Sequence, residues 1–372
     1  MPPATPNKKY RVLIVDDSAF MRKVLETIIT SDETLQVVGQ AKDGREAVTL
    51  AESLKPDVIT MDINMPHLDG LQATELIMSS HPRPIVIVSS ESREGAASTL
   101  RALELGAVDF VPKPSSGVDL DMKAVAEDLT RKLKLAAKVR VIRTATRSKL
   151  EGNRAAALAA PVRAAKSTAA ANPGGKTPLV VIAASTGGPA AVTQVVSTLP
   201  ADLSAAVLLV LHMPGNFTKQ FACQLAEISR LPVKEAEPNE VPQAGTIYLC
   251  PGSHHMRIGA TGKIALDDGP RIDGYRPCAN VTLESAAVYG RAMTIGVVLT
   301  GMGNDAAIGA KSVKNFGGSV IAQDEATSMI FGMPAEAIKA CAVDEVLPLQ
   351  EIVVAIERRL AKLAHLVPAG AR

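Results

Sequence analysis

The chain has 372 residues and a formal net charge of +2; 47% of the residues are hydrophobic, so it is long enough for two domains with separate cores. Tryptophan is absent and aromatic residues make up only 3%, so aliphatic side chains must supply most of the packing. The sequence has no apolar stretch of membrane-spanning length and no signal-peptide core at the N-terminus, so we expect a cytoplasmic protein without membrane insertion. Its cysteines have no paired spacing, so we expect them to be reduced and not to form a zinc site.

In the first 113 residues, a polar group follows each of four short apolar runs. Such runs, separated by amphipathic stretches of helix length, predict a parallel α/β sheet. Ligands bind outside the carboxyl ends of the strands in these sheets, so the four groups should share one crevice. The runs are Arg11–Val15, Val58–Met61, Ile85–Val88 and Val108–Val111, and the groups are Asp16-Asp17-Ser18, Asp62, Ser89-Ser90 and Lys113-Pro114.

Three carboxylates in one crevice repel each other unless a cation lies among them. Mg²⁺ suits the hard oxygens of Asp16, Asp17 and Asp62. With Mg²⁺ bound, Asp62 becomes a candidate nucleophile toward a phosphoryl group, whose oxygens Ser89 and Lys113 could hold. A charged pair after a strand is usually only a solvated loop, but all these elements in one order favour the functional interpretation.

Residues 9–135 resemble the receiver domain of two-component response regulators, which is a five-stranded doubly wound, flavodoxin-like α/β domain. The resemblance implies that a chemotaxis histidine kinase phosphorylates Asp62, and that Ser89 and Phe110 reorient in response. It rests on the groups above together with Met65-Pro66, Asp69-Gly70 and Phe110. We also expect a cis bond between Lys113 and Pro114, because X-Pro bonds tolerate the cis form at low cost.

The receiver should end in a helix from about Asp119 to Arg140, and residues 136–176 read as a basic, alanine-rich linker with too few large apolar residues for a core. Residues 131–176 carry twelve Lys and Arg but one acid, Glu151. Because this stretch has no aromatic residue for stacking on bases, we expect no nucleic-acid partner.

Residues 177–365 predict a second α/β domain, doubly wound around a mostly parallel sheet. The stretch Val241–Ala265 has two short apolar runs with Gly and Pro turns, so we expect an antiparallel excursion on the sheet edge. The predicted strands are Leu179–Ala183, Ala206–Leu211, Thr246–Leu249, Thr294–Leu299 and Ser319–Ala322, and the predicted helices are Gly188–Thr198, Asn216–Ser229, Ala279–Gly290 and Gly303–Asn315.

Ser185, His212 and Asp305 each follow a predicted strand of this domain, so they too should share a crevice. An imidazole can take the proton of a serine hydroxyl, and an acid behind it fixes its tautomer. Each residue also has a structural interpretation. Ser185 could belong to an anion-binding turn, His212 could be a structural hydrogen-bonding residue, and Asp305 could cap the helix that follows it.

Residues 178–364 resemble the catalytic domain of the chemotaxis protein-glutamate methylesterase family. The matching stretches are Ala184–Pro189, His212-Met213-Pro214, Phe217-Thr218, Pro251–Met256, Asp268-Gly269-Pro270, Arg276-Pro277, Thr300–Asp305 and Phe331–Pro334. The resemblance implies that Ser185 is the nucleophile, His212 the general base and acid, and Asp305 the orienting acid of a hydrolase. The amides of Met302 and Thr186 would form the oxyanion hole, and the esterase would need no cofactor.

The implied substrate is a glutamate γ-methyl ester on a methyl-accepting chemotaxis receptor, hydrolysed with release of methanol during sensory adaptation. Some relatives also deamidate receptor glutamine, so this activity is possible here too. By the same resemblance, the unphosphorylated receiver covers the esterase crevice, and phosphorylation uncovers it. We expect a monomer.

The sequence departs from the family pattern at several positions near the implied site. Relatives usually have Ser-Val-Asp where this chain has Cys278-Ala279-Asn280, a Gly at Ala306 and a basic residue at Ala335. These changes leave substrate preference and rate open. Cys278 reads as a small buried residue rather than a nucleophile, and His254 and His255 as structural or rim residues.

Two other functions stay open at this point. One is a glutamine deamidase with weak esterase activity, which would release ammonia instead of methanol. The other is a phosphorylation-gated binding module whose hydrolase domain has lost catalysis. A DNA-binding response regulator is disfavoured, because the second domain has no short helix-turn-helix unit.

Overall fold

The computed structural model describes residues 9–89, 92–113, 122–139 and 176–366. The chain divides into two compact units, residues 1–165 and 166–372. The predicted cis bond between Lys113 and Pro114 lies outside the described residues, as do the start of the predicted helix at Asp119 and most of the predicted linker.

The first unit is a five-stranded parallel sheet with the strand order β2-β1-β3-β4-β5. This order is that of flavodoxin-like folds, and it confirms the predicted doubly wound class. The strands are β1 (Tyr10–Val15), β2 (Leu35–Ala41), β3 (Val58–Met61), β4 (Ile85–Ser89) and β5 (Asp109–Pro112), and the helices are α1 (Ala19–Thr30), α2 (Gly44–Leu54), α3 (Gly70–Ser80), α4 (Arg93–Glu104) and α5 (Met122–Ala136).

Local sequence signals explain where these helices begin. Side-chain oxygens of Ser18, Asp43, Asp69 and Ser92 accept hydrogen bonds from backbone N–H groups in the first turns of α1 to α4. The Asp69 cap is a full capping box, because Gln72 also accepts from the backbone N–H of Asp69. The helices therefore start within a few residues of the strand ends that carry the polar groups.

The second unit contains a seven-stranded sheet with the order β14-β13-β12-β6-β7-β9-β8. Every strand pair in it is parallel, and the central strands are buried along their whole length. The strands are β6 (Leu179–Ala184), β7 (Ala206–Leu211), β8 (Val233–Glu235), β9 (Ile247–Leu249), β12 (Thr294–Val298), β13 (Ser319–Gln323) and β14 (Glu345–Leu347). The helices are α6 (Gly188–Thr198), α7 (Gly215–Ile228), α8 (Ala279–Gly290), α9 (Ala307–Asn315), α10 (Met333–Lys339) and α11 (Ile352–Leu366), with 3-10 turns at Arg291–Met293 and Leu349–Glu351.

The predicted antiparallel excursion is present, but not on the edge of the main sheet. Strands β10 (His255–Ile258) and β11 (Ile264–Asp267) pair only with each other, as a two-stranded sheet. The hairpin instead docks on α8, where Thr282 Oγ1 donates to the Met256 carbonyl and the Ile258 N–H donates to Ser285 Oγ. Two backbone groups of β10 thus bond to side chains of α8, while in β11 the Ile264 N–H and carbonyl bond to the backbone of Glu240 and Asn239.

No helix among the described residues combines the length and apolar character needed to cross a membrane. The predicted helix Gly303–Asn315 begins later than expected, at Ala307, because residues 301–306 form a loop. That loop carries part of the site described below.

The turn after β9 packs directly on the turn that carries His212. A Cβ atom added at Gly252 would lie 2.3 Å from both the Gly215 nitrogen and the Pro214 carbonyl carbon. The Gly252 N–H also donates to Thr218 Oγ1 at 2.9 Å. Position 252 therefore has room only for glycine.

We expect Gly252→Ala to lower the free energy of unfolding by about 1–3 kcal/mol, because the added methyl must push the β7–α7 turn away. Thermal or urea unfolding measures this. Gly259→Ala is the matched control, since its Cβ would approach no atom closer than 3.5 Å, and it should change stability little. Equal unfolding midpoints for the two variants would contradict the tight packing at Gly252.

Candidate functional site

Three neighbouring strands of the seven-stranded sheet carry Ser185, His212 and Asp305. β6 lies between β12 and β7, and all three run parallel, so their carboxyl ends meet at one edge. Ala184 pairs with Leu211, which means that Ser185 and His212 leave the sheet side by side. Asp305 arrives from the loop after β12.

These side chains form one hydrogen-bonded line. His212 Nδ1 lies 2.9 Å from Ser185 Oγ, and His212 Nε2 lies 2.8 Å from Asp305 Oδ2. An ionised carboxylate can only accept, so Nε2 carries the proton and Nδ1 is left to accept from the serine hydroxyl. The two imidazole nitrogens thus have the opposite roles to those in chymotrypsin, where Nε2 faces the serine.

The Asp305 carboxylate is buried and accepts several further hydrogen bonds. Its oxygens accept from the backbone N–H groups of Ala279, Asn280 and Ala306 at 2.6–2.9 Å. Cys278 Sγ donates to Oδ1 at 3.2 Å. Because Ala279 and Asn280 open α8, the carboxylate sits at the positive end of that helix.

The structural interpretation was that Asp305 caps the helix that follows it. Asp305 does cap a helix, but a different one. Asp305 does not cap α9, which follows it; it accepts from the first amides of α8, which begins 26 residues earlier. In return, Asn280 Oδ1 of α8 accepts from the Gly309 N–H in the first turn of α9. Backbone N–H groups in the first turns of both α8 and α9 therefore donate to a side chain from the other segment, to Asp305 from α8 and to Asn280 from α9.

Burial by itself would raise the pKa of Asp305, but His212 and the α8 amides outweigh it and lower the pKa to about 2. Burial, reinforced by the charge of Asp305, raises the pKa of Cys278 to about 12. The Cys278 thiol thus keeps its proton and can donate it to the carboxylate, as a serine hydroxyl would.

The loop that carries Met302 is hydrogen-bonded to the turn that carries Ser185. The Ser185 N–H donates to the Thr300 carbonyl at 3.1 Å, and Thr300 Oγ1 donates to the Thr186 carbonyl at 3.0 Å. Thr186 and Met302 are thereby brought to the same edge as Ser185, while the use of their amides as oxyanion donors stays a prediction.

Tyr275 also belongs to this site, although sequence reasoning did not select it. Its ring stacks on the imidazole of His212 with centroids 4.1 Å apart and planes 18° from parallel. Tyr275 lies in a loop and not at a strand end, so the strand-end rule did not find it. The sequence did offer one signal for Tyr275: it is one of four tyrosines in the chain, and it stands directly before Arg276-Pro277.

His255 has a structural position, as expected: it is buried, and its Nε2–H donates to the Pro270 carbonyl at 3.1 Å. Cys278 is also buried, as expected of a small core residue. Ala306 has a φ of 76°, a left-handed conformation that suits the glycine usual there, yet its side chain is packed in the core.

The first unit brings four of its predicted site residues, Asp16, Asp17, Asp62 and Lys113, together at the carboxyl edge of its own sheet. Lys113 Nζ lies 2.8 Å from both Asp16 Oδ2 and Asp62 Oδ2. Ser89 ends β4 and is buried, and the Phe110 ring is buried in β5. Asp17 is the exposed member of the group.

Ligand oxygens of Asp16, Asp17 and Asp62 all lie within 4.8 Å of one another. A set of three carboxylates fits a hard divalent cation such as Mg²⁺. Burial raises the pKa of Asp62, against the opposing effect of Lys113. Burial opposes the charge of Lys113 in turn, but Asp16 and Asp62 outweigh it and raise the Lys113 pKa.

The lowered pKa of Asp305 predicts a pH-dependent contribution to stability. Since the folded state favours the ionised carboxylate, Asp305 stabilises the fold by about 2 kcal/mol above pH 4, and this is lost as the pH falls toward 2. The difference in unfolding free energy between wild type and Asp305→Asn, measured in urea, should therefore shrink by about 1 kcal/mol between pH 6 and pH 3. A difference that does not vary with pH would contradict this assignment.

The four cysteines should react differently with an alkylating reagent at neutral pH. Cys223 and Cys341 are exposed, whereas Cys250 and Cys278 are buried, and burial raises the pKa of Cys250 as well. Iodoacetamide followed by peptide mass spectrometry should label the exposed pair only, and label all four after denaturation. Labelling of native Cys278 would show that its thiol is not held against Asp305.

Two family models match this chain: the CheB methylesterase over residues 180–356, and the response regulator receiver domain over residues 12–125. A protein-glutamate methylesterase/protein-glutamine glutaminase of Pyrococcus horikoshii is 46% identical over 349 residues, 93% of this chain and 92% of the relative. A protein of the same name from Symbiobacterium thermophilum is 43% identical over 95% of this chain and 97% of the relative. The crystal structure of the Thermotoga maritima CheB methylesterase catalytic domain is 40% identical with a TM-score of 0.48, over 50% of this chain and 99% of that one. With relatives this similar over nearly the whole length, the chain belongs to the CheB methylesterase family, with a response regulator receiver domain ahead of the catalytic domain.

Proposed function

We propose that this protein hydrolyses glutamate γ-methyl esters on methyl-accepting chemotaxis receptors, and that phosphorylation of Asp62 raises the rate. The observation that carries the proposal is the line from Ser185 Oγ through His212 to Asp305, with both hydrogen bonds under 3 Å. The family supplies the substrate class, because the curated relatives are named as protein-glutamate methylesterases.

The reaction begins when Ser185 Oγ attacks the ester carbonyl while its proton passes to His212 Nδ1. Negative charge develops on the carbonyl oxygen, and the backbone amides of Met302 and Thr186 are the proposed donors to it. His212 then returns the proton to the leaving methoxide, which departs as methanol. Water, deprotonated by the same nitrogen, attacks the acyl-serine and releases the glutamate side chain.

Asp305 serves this cycle by staying ionised. Its low pKa means that it does not take the imidazole proton, so it holds Nε2–H in place and stabilises the imidazolium that forms. The backbone amides of α8 keep the carboxylate oriented when the imidazole changes its charge.

In the receiver domain, Asp62 is the proposed acceptor of a phosphoryl group from a chemotaxis histidine kinase. Its carboxylate already lies against the Lys113 ammonium, which can bond a phosphoryl oxygen after transfer. Mg²⁺ held by Asp16, Asp17 and Asp62 would neutralise charge on the transferring group. Ser89 and Phe110 are the proposed residues that reorient.

A second activity, glutamine deamidation, is supported by the double name of the relatives, which are also called protein-glutamine glutaminases. The acyl chemistry is the same, with ammonia leaving in place of methanol.

Since the receptor sites modified in this way are cytoplasmic, the proposal requires a cytoplasmic enzyme. A monomer suffices, because each proposed site is built from one unit of one chain.

Methanol release from methylated receptor membranes should rise when a small phosphodonor and Mg²⁺ are added. Ser185→Ala should lower release at least about 10³-fold in both conditions, because the attacking oxygen is gone. Asp62→Asn should keep the basal rate and lose the response to the donor. Methanol and ammonia are measured together, which separates esterase from deamidase activity.

Ser197→Ala is the matched control, because that hydroxyl bonds only within its own helix. It should behave as wild type. Release that survives Ser185→Ala would refute the proposed nucleophile, and a donor response that survives Asp62→Asn would refute the proposed switch. Absence of both products from wild type would instead support a binding role for the second domain.

A further inference from the structure

The two hydrogen bonds of His212 lie along the edge of its ring and leave both faces of the imidazole uncovered. They resist displacement of the nitrogens within the ring plane more strongly than tilting of the ring about its bond to Cβ. The Tyr275 ring, stacked 4.1 Å away and 18° from parallel, lies across one face and blocks that motion. Tyr275 thereby restrains the plane of the imidazole, and with it the direction of the Nδ1 lone pair.

The stack also acts differently on the two charge states of His212. The face of an aromatic ring attracts a cation, and more strongly where water is excluded. The side chain of His212 is only 11% exposed, and it becomes a cation when it accepts the serine proton. Tyr275 therefore favours the state that forms during the reaction over the resting one, which is how binding energy raises a rate.

The loop that carries Tyr275 is tied down on both sides. Ile272 and Tyr275 exchange two backbone hydrogen bonds of 3.0 and 2.9 Å, which close a tight turn. The Arg276 guanidinium donates to the carbonyls of Asp268 and Gly269, both at 2.8 Å. His255 bonds the Pro270 carbonyl, which gives the loop a third set of hydrogen bonds. Together they hold the loop, and with it the Tyr275 ring, in place against His212.

The hydroxyl end of Tyr275 lies against the loop that carries Met302. A Cβ added at Gly303 would lie 2.3 Å from Tyr275 Oη, and Gly303 has a φ of 85°. Glycine is therefore required there by conformation and by space. Tyr275 thus spans from the imidazole to the loop that also leads to Asp305.

We propose that Tyr275 is a positioning residue of the hydrolase, which holds His212 in plane and stabilises its charged form. The inference rests on the proposed function, and it adds a fourth side chain to the three that the family motif supplies. The ring carries this role, through its stack on the imidazole.

Three variants test the proposal in the full-length protein. Tyr275→Leu should lower kcat about tenfold and leave KM within about twofold, because the imidazolium is formed after the substrate binds. Tyr275→Phe keeps the ring and should stay within about threefold of wild type. Tyr289→Leu is the control for the loss of a half-buried tyrosine, since it lies about 15 Å along α8 from the end that binds Asp305.

The reaction of Ser185 with a fluorophosphonate probe gives a second readout that needs no receptor. The labelling rate should fall about tenfold in Tyr275→Leu and not in the other two variants. Circular dichroism and thermal unfolding check that each variant is folded. If Tyr275→Leu is folded but labels and turns over like wild type, the proposal is wrong, as it is if Tyr275→Phe loses as much as Tyr275→Leu.

The two readouts separate this inference from the proposed function. If wild type reacts with the probe in a Tyr275-dependent way but releases no product from receptor, the substrate assignment fails and the role of Tyr275 stands. If wild type reacts with neither probe nor receptor, both fall together. A higher KM with unchanged kcat in Tyr275→Leu would assign Tyr275 to substrate binding and overturn the positioning role.

Discussion

The buried carboxylate of Asp305 is the constraint on which the catalytic domain depends. A charge removed from water is costly unless donors surround it, and here three backbone amides, a thiol and an imidazole do so. Two of those amides belong to the first residues of α8, so the carboxylate that bonds His212 also caps the start of this helix. The fold and the site share this interaction, because a shift of α8 would move the imidazole, and loss of the carboxylate would leave the start of α8 unsatisfied.

Asp305 and Asp62, the two aspartates of the proposed function, differ in how their lone pairs are used. Asp305 accepts from many donors and has a pKa lowered to about 2, which suits a group that must stay charged and still. Asp62 accepts from the Ile63 N–H and from Lys113, and burial raises its pKa. Fewer of the Asp62 lone pairs are committed to hydrogen bonds, which suits the proposed phosphoryl acceptor, whereas the fully bonded Asp305 suits the proposed orienting acid.

Several features of the fold followed directly from local pattern. The apolar runs predicted β3 and β7 to the residue, and Gly188–Thr198 and Ala279–Gly290 became α6 and α8 with the predicted bounds. The short strands β8 and β14 were not predicted, because each contains charged residues and neither is fully buried, whereas the equally short β9 is wholly apolar and buried. The hairpin β10–β11 was predicted as antiparallel but assigned to the wrong place, because the side chains of α8 that receive it lie far away in sequence.

By itself, the sequence determined the class of both domains and the set of strand ends at which chemistry could occur, because the period of apolar residues and the parallel topology require nothing more than local order. Only the tertiary structure decided which imidazole nitrogen faces Ser185, which helix Asp305 caps and which aromatic ring covers His212. Those outcomes depend on the direction and distance of groups separated by tens of residues, and no local pattern encodes them.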